Sequence, residues 1–66
     1  MKTKYPNVRV KLVGEDGNAF AILGRVAQAM RMAGLSQKEI AAYQKQAMSG
    51  NYDHLLQTTL RWVAAS

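Results

Sequence analysis

The segment from residue 18 to residue 33 constrains the fold most, because its pattern predicts one helix with an unusually wide apolar face. At about 100° per residue, apolar side chains fill about half of the circumference. They are Phe20, Ile22, Leu23, Val26, Ala27, Ala29, Met30 and Ala33. Arg25, Gln28 and Arg31 share one polar sector. Such a helix must be covered on more than one side, so we expect it to be the central helix of a single small domain spanning residues 1–66.

Residues 8–13 show the two-residue alternation of a half-buried strand. Val8, Val10 and Leu12 point to one side, and Arg9 and Lys11 point to the other. A strand needs a hydrogen-bonded partner. Three partners are open: the C-terminal residues 61–65, the lead-in at residues 2–5, or the same strand of a second copy. The third would make a homodimer through residues 8–13.

Two shorter helices follow the central helix. Ser36 is a typical helix N-cap, and Glu39 three residues later completes a capping box. The second helix extends to about Met48, and Asn51 caps a third helix that ends near Val63. The predicted fold is α+β and mostly helical, with one N-terminal strand followed by three helices (β-α-α-α), the strand being paired with the C-terminal tail or with a second copy.

The apolar periodicity of these two helices predicts which side chains they bury. For the second helix they are Ile40, Tyr43, Ala47 and Met48. For the third helix they are Tyr52, Leu55, Leu56, Thr59, Leu60, Trp62 and Val63. Asp53, His54, Gln57, Thr58 and Arg61 are expected on the opposite side of the third helix.

Composition excludes several classes of protein. The chain has no cysteine, which removes disulfides and thiolate metal sites. It lacks a run of about 18 apolar residues and the apolar part of a signal peptide, so we expect a cytoplasmic protein that does not enter the membrane. The turn at residues 14–18 lacks the glycine spacing of nucleotide-binding loops. We therefore expect no cofactor and no metal.

Nine Lys and Arg against four Asp and Glu give a net charge of +5, which favours nucleic acid or an acidic protein surface as partner. Two groups of candidate binding residues follow. The first, on the strand and its lead-in, consists of Lys2, Lys4, Arg9 and Lys11. The second, on the central helix, consists of Arg25, Gln28, Arg31 and Met32. Arg and Met are enriched in protein interfaces. The strand cations have a second interpretation, protection of a sheet edge against aggregation.

His54 is the only histidine, with Asp53 beside it and Ser49 nearby. Neighbouring residues on a helix project about 100° apart, so Asp53 does not orient the imidazole. The four acidic residues also form no convincing acid/base pair. We therefore expect a non-enzymatic protein, and a hydrolase built around His54 is the least favoured hypothesis.

Two DNA-binding folds share features with the chain. A basic strand followed by helices resembles the ribbon-helix-helix fold, which is dimeric and would use Arg9 and Lys11 to read bases. The acidic turn and the third helix depart from it. Residues 34–42 resemble the first helix of a helix-turn-helix motif, but Lys45 stands where its turn favours glycine.

The chain also resembles a family of short uncharacterised proteins of bacteria and their phages. The resemblance rests on K-Y-P-N-V-R-V-K-L-V-G-E-D-G-N-A-F-A-I-L-G at residues 4–24, G-L-S at residues 34–36 and S-G-N-Y-D-H-L-L at residues 49–56. It implies a phage or mobile-element setting without an assigned activity. By analogy with small proteins of that setting, it suggests an accessory or anti-defence inhibitor that occupies a surface of a protein or nucleoprotein partner.

Overall fold

The computed structural model describes residues 3–12, 14 and 17–66. Its elements are β1 (Tyr5–Val10), α1 (Ala19–Met32), α2 (Gln37–Ala47), α3 (Tyr52–Trp62) and β2 (Val63–Ala65). This order confirms the predicted β-α-α-α fold and makes the C-terminal tail a second strand. Lys2, one of the candidate binding residues, lies outside the described residues, as do the two acids of the turn, Glu15 and Asp16.

The sheet consists of β1 and β2 in parallel. Arg9 lies opposite Ala64. Beyond the end of β2, the Ser66 N–H donates to the Val10 carbonyl (3.0 Å) and the Leu12 N–H donates to the Ser66 carbonyl (2.6 Å). Parallel strands need a long crossover connection, and here the three helices are that connection. The strand partner is therefore in the same chain, and the second copy is not needed to satisfy this edge.

The strand begins earlier than its alternation predicts, at Tyr5 rather than at Val8. Pro6, which precedes the predicted strand, lies inside β1. The pairing with β2 is irregular between Tyr5 and Arg9. Proline lacks an N–H and is tolerated in sheets at such irregular positions and on edge strands. The period-two pattern missed this part because an irregular pairing interrupts the alternation.

The helix boundaries follow the predicted caps. The Asn18 side chain accepts from the Phe20 N–H (2.8 Å), and the Asn51 side chain accepts from the His54 N–H (2.9 Å). Ser36 and Glu39 form the reciprocal capping box of α2. Each cap satisfies helix N–H groups that have no acceptor within the helix, which is why polar residues of this type begin helices.

The core is built where α1, α2 and α3 meet the inner face of the sheet. Its apolar members are Val8, Val10, Ile22, Leu23, Val26, Ala27, Met30, Ile40, Tyr43, Ala47, Leu55, Trp62 and Val63. Trp62, which we expected in the core, is 5% exposed. Its ring lies 5.8 Å from the rings of both Tyr43 and Tyr5, and its Nε1–H donates to the Gln46 side-chain oxygen (3.0 Å). This aromatic cluster joins β1, α2 and α3.

Four large side chains predicted to be buried are instead exposed: Phe20 (74%), Met48 (58%), Tyr52 (47%) and Leu60 (49%). The small side chain of Ala33 is exposed as well. Conversely, Thr58, which we expected on the polar side of α3, is buried. Periodicity gives the direction of a side chain, but the neighbouring elements decide how wide the covered arc is. In α3 the covered arc runs through Leu55, Thr58, Thr59 and Trp62, so Tyr52 and Leu60 fall beyond it.

A hydrogen bond between Tyr5 and Glu39 connects the sheet to the start of α2. The Tyr5 hydroxyl donates to the Glu39 Oε2 atom (2.5 Å), while Glu39 Oε1 accepts from the Ser36 N–H (3.3 Å) and hydroxyl (3.1 Å). These bonds favour the carboxylate, with the Tyr5 bond contributing most, and they lower the pKa of Glu39 below its usual value of 4.5. The same bond raises the pKa of Tyr5.

The lowered pKa of Glu39 predicts the direction of acid destabilisation. A carboxyl that binds its proton more weakly when folded stabilises the fold above its unfolded pKa and loses that contribution as pH falls through its folded pKa. We expect the Glu39→Gln variant to be less stable than wild type at neutral pH and to show a flatter decline below pH 4.5. Urea unfolding across pH measures this, with Asp53→Asn as the control. Parallel pH profiles for Glu39→Gln and wild type would contradict it.

Candidate functional site

An apolar groove lies between the start of α1, the end of α2 and the start of α3. Its volume is about 220 Å³, and Leu23, Ala47 and Leu55 are the buried residues among its lining. Three of the large exposed hydrophobic side chains, Phe20, Met48 and Tyr52, also line it. The Tyr52 hydroxyl donates to the Gly17 carbonyl (2.5 Å). This bond connects the start of α3 to the turn that precedes α1. The groove therefore has a buried apolar floor and exposed apolar side chains at its margin.

The exposed face of α1 leads away from this groove. Phe20, Gly24, Gln28 and Arg31 are all exposed. At about 100° per residue they fall within one narrow arc, and we call them the α1 stripe. At a rise of about 1.5 Å per residue the stripe is about 16 Å long from Phe20 to Arg31. Met32, 80% exposed, lies beside its far end. The stripe thus connects the groove to candidate residues on the central helix.

The structure separates the candidate residues of the central helix by exposure. Gln28, Arg31 and Met32 are exposed as expected. Arg25, on the flank of the helix, is less exposed than these three and is half-buried. Gly24 is also exposed, and a methyl group added there would meet no atom within 4 Å. The middle of the α1 stripe is therefore bare backbone, over which another molecule can approach closely.

The strand cations divide into two kinds. Arg9, in β1, and Lys11, one residue beyond its end, are both exposed and alternate with the buried Val8 and Val10. Lys4, although exposed, places its Nζ atom 4.2 Å from the centre of the Trp62 ring. This cation–π contact gives Lys4 a structural role. Arg9 and Lys11 are therefore the described strand cations that project from the outer face of the sheet.

His54 lies in the first turn of α3 and contacts the end of α2. Its Nε2 atom lies 2.9 Å from the Gln46 carbonyl oxygen and 3.1 Å from the Ser49 hydroxyl. A carbonyl can only accept, so Nε2 carries the proton and donates to Gln46. The Ser49 hydroxyl also donates to this carbonyl (2.7 Å). Since Nε2 carries the proton in this bond, it cannot also accept the proton of the Ser49 hydroxyl, so the arrangement differs from a nucleophile–base pair.

In the ranges 3–12, 14 and 17–66, no group of three or more metal-binding side chains comes together. Within the same part of the chain, no helix has both the length and the apolar character that membrane crossing requires.

Comparison of the chain with protein-family models, curated proteins and solved structures gave no match in any of the three.

Sequence reasoning found the polar end of the α1 stripe and missed the groove. The missed residues, Phe20, Met48 and Tyr52, have apolar side chains at helical spacing, which is also the signal of a core position. A clue was their location: each lies in the first turn of a helix or just after the last one. Side chains near helix ends have fewer neighbouring turns to cover them.

Proposed function

We propose that this protein is a small, basic, non-enzymatic binding protein that docks on a protein or nucleoprotein partner through the apolar groove and the α1 stripe. The observation that carries the proposal is the 74% exposure of Phe20 beside a groove walled by two more exposed apolar side chains. Contiguous exposed apolar surface on a small domain is typical of an interaction site.

The composition of the surface favours a protein partner. Aromatic residues, Met and Arg are enriched at the centres of protein interfaces. The groove and the α1 stripe present Phe20, Tyr52, Met48 and Arg31, and Met32 lies beside the stripe. Large side chains that fill pockets supply most of the binding free energy in such interfaces. We therefore assign the groove as the anchoring point and the Arg31 end as the polar margin.

Gly24 supports the same assignment. An exposed glycine inside a helix is less favourable than alanine by about 0.5–1 kcal/mol, and no neighbouring atom in the fold occupies the space of a side chain there. Because Gly24 has no side chain, a partner that lies along the α1 stripe can contact the helix backbone there. The hydrogen bonding of His54 supports the non-enzymatic part of the proposal.

The resemblance to short bacterial and phage proteins gives the proposal its most specific form, an accessory or inhibitor protein of a mobile element. The alternative is a dimeric DNA-binding protein of the ribbon-helix-helix type. The exposure of both Arg9 and Lys11 on the outer face of the sheet is the observation that favours this alternative.

Affinity purification of the tagged protein from its native cell, with and without nuclease, tests the proposal. We expect a partner to be recovered with the tagged protein after nuclease treatment as well as without it. We also expect Phe20→Ser to reduce the recovery of this partner by at least about tenfold, because loss of an anchor residue costs about 2 kcal/mol or more. Leu60→Ser is the matched control: it also removes an exposed apolar side chain, but Leu60 does not line the groove.

Equal losses in Phe20→Ser and Leu60→Ser would contradict docking through the groove. Loss of all partners on nuclease treatment would favour the DNA-binding alternative. That alternative predicts binding to random duplex DNA whose logarithmic affinity falls linearly with the logarithm of salt concentration. Flat, millimolar-range binding at low salt would exclude it.

A further inference from the structure

The outer edge of β1 is open to a further strand. The sheet has two strands, so β1 has one edge on β2 and its other edge is not paired with any strand of the described residues. Val10 and Leu12 direct backbone groups toward β2, as their bonds to Ser66 show. Backbone groups alternate in direction along a strand, so the N–H and C=O groups of Arg9 and Lys11 point to the outer edge.

The charged side chains of β1 and of the two residues that follow it are all basic. The side chains of Arg9 and Lys11 are both exposed on the outer face of the sheet, and residues 3–12 contain no acidic side chain. In a paired strand, opposite charges facing one another stabilise the pairing and like charges oppose it. The edge therefore favours a strand with Asp or Glu at alternate positions on the outer face.

A second copy of this chain fits the edge poorly. If two copies of β1 paired antiparallel about Val10, Arg9 of each copy would lie opposite Lys11 of the other, since residues of one face meet residues of the same face. Each copy also carries a net charge of +5. Both effects are repulsive, so the edge is better suited to an acidic segment of another protein.

We infer that the outer edge of β1 binds an extended acidic segment of a protein partner, which joins the sheet as a third strand. The backbone groups of Arg9 and Lys11 supply hydrogen bonds, and their side chains select carboxylates at every second position of the segment. The intervening apolar side chains of the segment face the helices. This surface is separate from the groove and the α1 stripe, so the two proposals fail independently.

A pair of capped peptides tests the inference: Thr-Glu-Val-Glu-Val-Glu-Val-Thr and the same peptide with Lys in place of Glu. We expect the Glu peptide to slow amide hydrogen exchange at Arg9 and Lys11 by about tenfold at saturation, because these N–H groups become hydrogen-bonded. We expect Arg9→Glu/Lys11→Glu to reverse the preference to the Lys peptide, with at least about a tenfold change in affinity ratio.

The matched control is Lys38→Glu/Lys45→Glu, which changes net charge by the same amount at exposed positions of α2. It should keep the preference for the Glu peptide. Equal loss of binding in both double variants would show attraction by net charge and overturn the inference. So would unchanged exchange at Arg9 and Lys11 with saturating peptide, a measurement on wild type that holds even if a variant fails to fold. Protection that appears without peptide and rises with protein concentration would assign the edge to a second copy.

Discussion

Replacing Trp62 by alanine is expected to leave most of this protein unfolded at room temperature. Removing a buried Trp costs about 3–5 kcal/mol. A single core in a domain of this size rarely supplies more than about 3–5 kcal/mol in total. The variant also loses the ring contacts with Tyr5 and Tyr43, the cation–π contact with Lys4 and the bond to Gln46.

Far-UV circular dichroism and urea unfolding measure this effect. Leu60→Ala is the control, because it shortens an exposed apolar side chain of the same helix and is expected to change the free energy of unfolding by no more than about 0.5 kcal/mol. A cooperative unfolding transition for Trp62→Ala with a midpoint close to that of wild type would show that the cluster is not the junction of the fold.

Gly50→Ala is expected to destabilise the protein by about 1–3 kcal/mol, because the added methyl group has no room. It would lie 2.7 Å from Cγ and 2.8 Å from Cβ of His54. The ring could rotate away, but the Cβ atom is fixed by the backbone of α3. The connection between α2 and α3 must therefore shift. The φ angle of Gly50 is not positive, so space rather than backbone conformation requires glycine here.

Gly24→Ala is the matched substitution, and we expect it to raise the free energy of unfolding, whereas Gly50→Ala lowers it. An alanine there meets no atom and favours the helix, so we expect about 0.5–1 kcal/mol of added stability. If the α1 stripe is a docking surface, the same variant binds its partner more weakly despite folding more stably. For Gly50→Ala, the cost should shrink in a His54→Gly background and persist in His54→Ala, which retains the Cβ atom.

The features that sequence predicted correctly are those decided by neighbours in the chain. The caps Asn18, Ser36 and Asn51 are of this kind, because a side chain bonds to an N–H group two or three residues later. The alternation of Val8 and Val10 is likewise local, and it predicted the buried face of β1 although not its first residues.

The features that the sequence left open or missed depend on distant parts of the chain. The C-terminal tail was one of three open partners for the strand, because residues 63–65 are too few for alternation to distinguish a strand from a frayed helix end. Phe20 has the spacing of a core residue, but the groove beside it results from how far three separate elements extend. The bond from His54 to Gln46 uses a main-chain carbonyl, which every residue possesses and no sequence pattern reveals.

The parallel pairing of β1 with β2 has a consequence for synthesis on the ribosome. β1 is translated before all three helices, whereas β2 is translated after them. While the helices emerge, Val8 and Val10 have no β2 strand beside them, so the backbone groups of β1 that face β2 lack their native hydrogen-bond partners. Completion of the sheet must therefore be among the last steps of folding, and a chain stalled before residue 63 would expose a strand on both edges.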